Sequence, residues 1–234
     1  MATSNHVFIV PVLSAIALVC LAQNNPNDTR DHRMEITLQR LDQGVWRSVD
    51  PGIVCRQNDR VRFSFRSNFN GYLYVVNHSS SGSFEQLFPN EATGRNNRIT
   101  AGDEYSVPNT QTTFRIAGPP GYEVIYWLVS PVELSLSPGS KSTLDRHPSS
   151  PTKSNPPNLL PRCDDNLFRA RGECIDASAG PRMVDANEKL PDTLTSGRAN
   201  SRELLVIRDN EKSVIASPAP LSGPAVYEFR LAHK

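Results

Sequence analysis

The stretch "GYLYVVNHSSSGSFEQLFPNE", residues 71–91, places a run of serines directly after a histidine. A serine nucleophile needs a base within hydrogen-bond reach and usually sits on a G-x-S-x-G elbow, which this stretch lacks. Adjacent residues of a strand point to opposite faces, so the His78 side chain is not expected to face its neighbour. No G-x-x-x-x-G-K-[ST] phosphate loop occurs either. We therefore interpret the serines at 79–81 as the loop of a β-hairpin.

Other catalytic and metal-binding signatures are missing from the sequence. The histidines are scattered, and neither an H-E-x-x-H motif nor a D-x-D-x-D-G calcium loop occurs. We accordingly predict no catalytic residue, no metal and no cofactor. A hydrolase whose carboxylates meet only in space stays an alternative, because such pairs leave no signature in the sequence.

The amino-acid composition bears on the partners that the chain can bind and on whether it can form a core. The chain has 234 residues and a formal net charge of +1, so no broad electrostatic field favours nucleic acid. The hydrophobic share is 38%, which is enough for a core, and 19 prolines are more than a helical protein usually carries. We expect a protein that does not bind nucleic acid.

The N-terminus carries a targeting signal. Residues 7–22 form an apolar run without a charged side chain, which is shorter than the roughly 20 residues that span a bilayer. The run ends in Cys20-Leu21-Ala22, a small-x-small pattern typical of signal peptidase sites. We predict a signal peptide at 1–22 and a secreted or periplasmic protein. An uncleaved anchor, or lipidation at Cys20, is the alternative, and either would confine membrane contact to this segment.

Two later cysteines lie close together in "RCDDNLFRARGECID". In an oxidising compartment, Cys163 and Cys174 are expected to form a disulfide. Zinc is the competing interpretation, but two cysteines this far apart, with no histidine nearby, do not make a zinc site. Cys55 is then left over, and we interpret it as a small buried hydrophobic residue.

Strand-like periodicity dominates the region 34–134. "RVRFSFRS" puts Val61, Phe63 and Phe65 on one face, as in a half-buried strand. "GYLYVVN" and "YEVIYWLVSP" are apolar on both faces, which indicates central strands covered on two sides. Pro51-Gly52 and Pro120-Gly121 predict type II turns. The sequence predicts an all-β fold, an antiparallel β-sandwich that is immunoglobulin-like or similar.

The amino-acid composition of the chain changes after residue 134. Residues 135–161 are rich in proline and serine and read as a flexible linker. Residues 162–234 contain the cysteine loop and two strand-like runs, "RELLVIRD" and "AVYEFRLAH". This extension is too small to bury a core of its own. We expect it to complete the sandwich, with the two runs adding a hairpin to a sheet edge.

Two features of the core region suit binding. The polar loop after Phe88-Pro89 contains several amide and guanidinium side chains, and loops on rigid sandwiches often carry recognition. Its candidate binding residues are Asn90, Arg95, Asn96, Asn97 and Arg98. The alternative is that these asparagines cap their own turns. Tyr72 and Tyr74 are the candidate aromatic contacts for a sugar or peptide.

The succession "GYLYVVN", "LFPN", "NNRITAGDEYSVP" and "FRIAGPPGYEVIYWLVSP" resembles the bacterial domain of unknown function 4384. The resemblance covers roughly Arg60 to Pro131. "CDDNLFRARGEC", "SAGPR" and "LSGPAVYEFRLAH" look like the tail of secreted members. The resemblance implies export or surface association and no catalytic residues in the domain itself. Family members are also joined to caspase-like peptidase or kinase modules, and no such module is evident here.

The sequence therefore favours a non-enzymatic module that binds a protein partner or takes part in envelope assembly, through a sheet edge or the polar loop. A module that binds carbohydrate or cell-wall polysaccharide is the alternative. The hydrolase with spatially assembled carboxylates is the second alternative.

Overall fold

The structure, a computed structural model, places most of the chain after residue 30. The predicted signal peptide at 1–22, the serines at 79–81, Asn90, Arg95 and nearly all of the predicted linker lie outside the described residues. The described residues are 31–78, 84–89, 96–108, 113–134, 160–164, 166–170, 172–185, 187–188, 190, 192–201, 204–209 and 211–234.

Two sheets stack face to face, and each is built almost entirely of antiparallel pairs. In the first sheet the order is β12-β13-β1-β4-β8, with β2 beside β1 and β9 beside β4. Its strands are β1 His32–Asp42, β2 Val45–Ser48, β4 Arg60–Ser67, β8 Glu104–Val107, β9 Phe114–Arg115, β12 Leu205–Asp209 and β13 Lys212–Ser217. The predicted antiparallel β-sandwich is confirmed.

The second sheet has the order β11-β14-β10-β5-β6, with β7 beside β5. The short β3 pairs with β14, and this pair is parallel. Its strands are β3 Val54–Cys55, β5 Gly71–His78, β6 Phe84–Phe88, β7 Arg98–Ile99, β10 Gly121–Ser130, β11 Gly180–Met183 and β14 Ala225–His233. In the described residues, three short helices follow β10: α1 Asn166–Ala170, α2 Asp192–Thr195 and α3 Arg198–Ser201.

The core lies between the sheets and follows the predicted alternation. Val61 and Phe63 are fully buried, and the outward Arg60 is exposed. Trp127 of β10 is the largest fully buried side chain, and its ring meets Phe63 edge-on at 5.5 Å between centroids. Aromatic pairs of this kind contribute about 0.5–1.5 kcal/mol beyond the area they bury.

The outer face of the second sheet is also covered, as the apolar character of β5 and β10 on both faces predicts. The cover is the described part of residues 184–201, which we call the covering segment. Its Leu194 is buried against outward side chains such as Leu128 and Val226. Ser201 of α3 accepts a hydrogen bond from the Val226 N–H at 2.8 Å. Gly197 packs so closely that an added Cβ would lie 3.0 Å from the Val226 backbone nitrogen.

The expected C-terminal hairpin is wrong in its pairing. The run "RELLVIRD" contains β12, which pairs with β13, a strand that the sequence analysis missed. The run "AVYEFRLAH" becomes β14, which lies in the other sheet between β11 and β10. Nine residues of β14 pair with β10, and eight of its nine residues are buried. The extension therefore supplies a central strand as well as an edge.

The predicted type II turns are also wrong, because neither Gly52 nor Gly121 has a positive φ. Gly52 is needed for space instead, since an added Cβ would lie 2.9 Å from the Asp176 carbonyl oxygen. Left-handed backbone occurs in the β1–β2 hairpin, where Gln43 has φ 47° and Gly44 φ 84°. Positive φ at both central residues is the geometry of the two-residue turns that match the twist of a hairpin.

The predicted disulfide between Cys163 and Cys174 is confirmed. It closes a loop with a sequence separation of 11, for which loop entropy gives about 3 kcal/mol of stabilisation. The loop is fixed to the sandwich because the Val54 N–H donates to the Cys174 carbonyl oxygen at 2.8 Å. Cys55 is free and fully buried, and burial together with nearby Asp59 raises the pKa of its thiol to about 12.

Candidate interaction surface

In the described part of the predicted polar loop, two asparagines accept hydrogen bonds from backbone N–H groups. Asn96 is exposed, and its Oδ1 accepts a hydrogen bond from the Arg98 N–H at 3.0 Å, which is an Asx-turn contact. Asn97 is buried, and its carbonyl oxygen accepts from the Leu73 N–H at 2.9 Å. Arg98 is exposed on β7. Of the five predicted loop residues, therefore, Arg98 and Asn96 present side chains to solvent among those described.

The two predicted aromatic contacts lie on the outer face of the second sheet. Tyr74 is only 3% exposed, and its hydroxyl donates to the Leu134 carbonyl oxygen at 3.1 Å. A surface contact through Tyr74 is thus wrong for this conformation, because the residue packs in the cluster beneath the covering segment. Tyr72 is half-buried against the same cluster, and a contact through it stays a prediction.

The first sheet ends in an exposed strand edge. β12 ends the first sheet and pairs on one side only, with β13, among the residues that the structure describes. Alternate N–H and C=O groups of such an edge strand point away from the sheet and are open to another strand. β12 therefore offers backbone hydrogen bonds to a partner.

The side chains of β12 make this edge apolar on its outer face. Leu205 is 56% exposed and Ile207 is 49% exposed, and both are large hydrophobic residues. Strand alternation puts them on the same face, while the intervening Val206 packs toward the core. The edge lacks proline and lysine, two devices by which proteins usually block such edges, and charge appears only at its end, in Arg208 and Asp209.

A hydrogen bond to the region just before β11 fixes the position of the β12 edge. Arg208 donates a hydrogen bond to the Ala179 carbonyl oxygen, just before β11 of the second sheet. Gly180 gives the guanidinium room, since an added Cβ would lie 3.0 Å from its nitrogen. This contact joins one edge of each sheet, so β12 presents a fixed surface to a partner.

The run "RELLVIRD" does lie at a sheet edge, but its four consecutive apolar positions do not by themselves mark β12 as an exposed surface. Such a run indicates a strand covered on both faces. The missing signal was its neighbour "KSVIAS", which forms β13 and leaves the first strand of the pair at the edge.

A buried carboxylate lies beneath the covering segment, on the outer face of the second sheet. Glu228 of β14 is fully buried, and its Oε1 accepts from Arg182 Nε at 2.9 Å and from Arg230 Nε at 2.8 Å. The other oxygen has no hydrogen-bond partner in the described protein. Burial and the neighbouring carboxylate of Glu188 raise the pKa of Glu228 to about 7. Glu188 in turn accepts a hydrogen bond from the Tyr126 hydroxyl.

This carboxylate pair bears on the hydrolase alternative. Two acidic groups do meet in space, and one has a raised pKa, which is a feature of many acid–base sites. A substrate would reach Glu228 only if the covering segment moved away, because the side chain is completely buried. The arrangement fits a structural contact that fastens the covering segment to β14.

The raised pKa predicts a pH-dependent stability. The folded state holds the Glu228 proton more tightly than the unfolded chain, so this contribution is complete below about pH 4.5 and is lost as the pH rises through 7. We expect wild type to lose about 2 kcal/mol more unfolding free energy than Glu228→Gln between pH 5 and 8. Urea unfolding at both pH values measures this difference. The exposed Glu211→Gln is the control, and parallel curves for wild type and Glu228→Gln would contradict the assignment.

Within the described ranges, no group of three or more His, Cys, Asp or Glu side chains is placed to hold a metal ion. None of the described helices is long and apolar enough to cross a membrane.

In the comparison with known proteins, one family model matches the central region of the chain. Residues 54–133 match the model described as "Domain of unknown function (DUF4384)". No curated protein and no solved structure gives a significant match. The matched range runs from β3 to the end of β10, about a third of the chain, so strands β1, β2 and β11–β14 of the sandwich lie outside it. The resemblance seen in the sequence is confirmed over this range: residues 54–133 match the DUF4384 family model.

Proposed function

We propose that this protein is a non-enzymatic binding module of the bacterial envelope, secreted or periplasmic, which docks a protein partner on the β12 edge. The observation that carries the proposal is the exposure of Leu205 and Ile207, side by side on a strand whose outer edge is unpaired in the described structure. In such a complex a strand of the partner adds to the first sheet.

A protein partner fits this edge better than a polysaccharide does. Open backbone groups recur at the strand spacing, which an added strand matches and a sugar chain does not. Leu205 and Ile207 offer aliphatic side chains, whereas aromatic rings are the usual surface for sugars. The partner strand that fits carries apolar residues at alternate positions, opposite this pair.

A second copy of the chain is one strand that meets this requirement. In an antiparallel pair centred on Val206, Leu205 of one copy lies opposite Ile207 of the other, on the same face. The exposed edge is therefore self-complementary in that register. Self-association is accordingly measured beside the capture of other proteins.

The secreted location is supported by the disulfide, since such bonds persist in oxidising compartments. The apolar run at 7–22 is of the kind that directs export. Both observations agree with the setting that the family resemblance implies.

The test compares two double variants in the mature chain. Leu205→Lys/Ile207→Lys places charge on the edge, and Val45→Lys/Val132→Lys makes the same change at residues that are 56% and 60% exposed elsewhere. We expect the edge variant to lose at least ten-fold in captured partner from envelope extract, or in self-association by sedimentation velocity, because lysine blocks strand addition. The control variant should keep both, and both variants should melt like wild type.

Two results would count against this function. One is capture or self-association that is equal in the two double variants. The other is specific retention on a cell-wall or glycan panel with no protein captured, which would favour the polysaccharide-binding alternative.

A further inference from the structure

Arginine side chains take the outward positions of β4 in the first sheet. Val61 and Phe63 are fully buried, so strand alternation places Arg60, Arg62 and Arg66 on the opposite face, toward solvent. Arg60 and Arg66 are exposed, and Arg62 is half-buried. Alternate residues of a strand lie about 6.7 Å apart. β4 therefore presents a row of guanidinium groups on one face of the sheet.

A fourth arginine, Arg115 of β9, joins one end of this row. Arg115 is exposed and pairs directly with Arg60 in the antiparallel register, so both side chains lie on the same face, with Cβ atoms about 5 Å apart. Neither side chain makes a hydrogen bond or an ion pair within the described structure. Like charges directly opposite each other destabilise a sheet. An anion bound between the two guanidinium groups would remove that repulsion.

The guanidinium group of Arg62 is held in a fixed plane. Its Nε donates to Gln39 Oε1 at 2.7 Å, and its Cζ lies 4.4 Å from the centre of the Trp46 ring. Gln39 lies opposite Arg62 across the sheet, and Trp46 is on β2, the next strand. Both terminal nitrogens of Arg62 are without a hydrogen bond in the part of the chain described. They are therefore available, in a fixed geometry, to a carboxylate, phosphate or sulfate.

The acidic side chains of this face lie toward the other end of β4. Glu104 accepts a hydrogen bond from Ser64 Oγ at 2.5 Å and pairs with Arg66 at 3.7 Å. Glu35 is opposite Arg66 on the other side. Arg66 is thus compensated, whereas Arg60, Arg62 and Arg115 form no ion pair among the described residues. We call these three residues the arginine patch.

The strand pairing around the patch narrows the class of anionic partner. β4 pairs with β1 on one side and with β8 and β9 on the other, so its backbone has no free edge for an added peptide strand. A membrane surface usually receives inserted apolar side chains, but Trp46 is half-buried and stacks on Arg62. The patch instead offers side chains only: guanidinium groups for acidic groups, and the amide of Gln39 beside the hydroxyl of Ser48 for sugar hydroxyls.

We propose that the arginine patch binds an acidic polysaccharide that lies across β9, β4 and β1. One acidic group sits between Arg60 and Arg115, and a second one contacts the terminal nitrogens of Arg62. Carboxylate and sulfate groups on sugars both offer this chemistry. The patch shares no residue with the β12 edge, so it stands or falls independently of the proposed docking surface.

The test measures binding of the mature chain to polysaccharides by isothermal titration calorimetry. The acidic probes are polygalacturonate, which carries carboxylates, and dextran sulfate, and the neutral probe is dextran. We expect saturable binding of at least one acidic probe, weakened by added salt, and none of dextran. Binding of one acidic probe alone identifies the acidic group. Polyglutamate and phosphatidylglycerol vesicles are measured beside them and should bind at least ten-fold more weakly.

Two double variants with the same change in net charge connect the binding to the patch. Arg60→Gln/Arg115→Gln should weaken it at least ten-fold and should melt no lower than wild type, because it removes a like-charge pair. Arg33→Gln/Arg47→Gln, at residues that are 50% and 63% exposed elsewhere, should change it less than three-fold.

A conservative variant tests the fixed plane of Arg62. Arg62→Lys keeps the charge but loses the planar fork and should weaken binding several-fold, and it serves as the second test if the double variant unfolds. Three results would overturn the proposal: no saturable binding of either acidic polysaccharide, equal binding of dextran, or equal losses in the two double variants. Binding of polyglutamate or of the vesicles that is as tight as that of the polysaccharides would also overturn it, in favour of an acidic protein or a membrane.

Discussion

A chain that ends at residue 134 is expected to remain unfolded, although it contains the whole matched family domain. Such a fragment lacks β14, which pairs with β10 along nine residues and contributes the buried Tyr227 and Phe229 to the core. It also lacks β13, which pairs with six residues of β1. Without this central strand, the face of β10 that carries Trp127 is exposed to water. The remaining strands therefore cannot form a stable hydrophobic core.

The measurement is the unfolding of fragment 31–134 followed by near-ultraviolet circular dichroism and urea titration. We expect no cooperative transition for the fragment alone. Mixing it with fragment 160–234 should restore a transition, because the second fragment carries β11–β14. A cooperative transition in the isolated fragment would show that the extension is accessory.

Replacing Trp127 by alanine is expected to lower the unfolding free energy by about 4 kcal/mol. Trp127 is fully buried and lies 5.5 Å from Phe63, 5.6 Å from Phe65 and 6.2 Å from Tyr227 between ring centroids. Removing the indole ring at this junction of the two sheets leaves a cavity that the neighbouring aromatic side chains cannot fill. The change is measured as the shift in urea midpoint at constant slope.

Two comparison variants, one at position 127 and one at position 46, separate the effect of buried volume from the loss of a tryptophan side chain in general. Trp127→Phe should cost less than half as much, since it fills most of the space and removes an indole N–H that has no hydrogen-bond partner in the described protein. Trp46→Ala, on the outer face of the first sheet, removes a cation–π contact with Arg62 at 4.4 Å and should cost about 1 kcal/mol. Equal losses for Trp127→Ala and Trp46→Ala would contradict the packing described for the core.

Local patterns were enough to predict the class of fold. The alternation of "RVRFSFRS" correctly buried Phe63 and Phe65, and the two-sided apolar character of "YEVIYWLVSP" correctly placed β10 in the middle of a sheet. These properties depend on a period of two and on burial, which a sequence displays directly.

The pairing between strands that are distant in the chain could not be predicted from the same patterns. Nothing local in "AVYEFRLAH" distinguishes a central strand from the edge strand that we expected, because either one alternates. The covering segment is polar in composition, and among its described residues only Val184, Leu190 and Leu194 meet the apolar cluster beneath it. The burial of Tyr74 therefore could not be foreseen from its own strand.

The candidate sites show the same limit. The edge of β12 depends on which strand lies beside it, and the arginine patch depends on β4 and β9, which are distant in the chain. A signal for the latter does exist in the sequence, since Arg60 and Arg62 take outward positions of "RVRFSFRS". This signal can be recognised only when the register between the strands is known.

Site-specific photo-crosslinking in the producing cell tests the docking surface most directly. A benzophenone amino acid at Ile207 of β12 lies on the proposed edge, and the same group at Val132, which is 60% exposed, serves as the reference. The account predicts a discrete crosslinked protein from position 207 and none from position 132, with the adduct lost when Leu205 is replaced by lysine. Adducts from position 132 alone, or no adduct from 207, would contradict docking on β12.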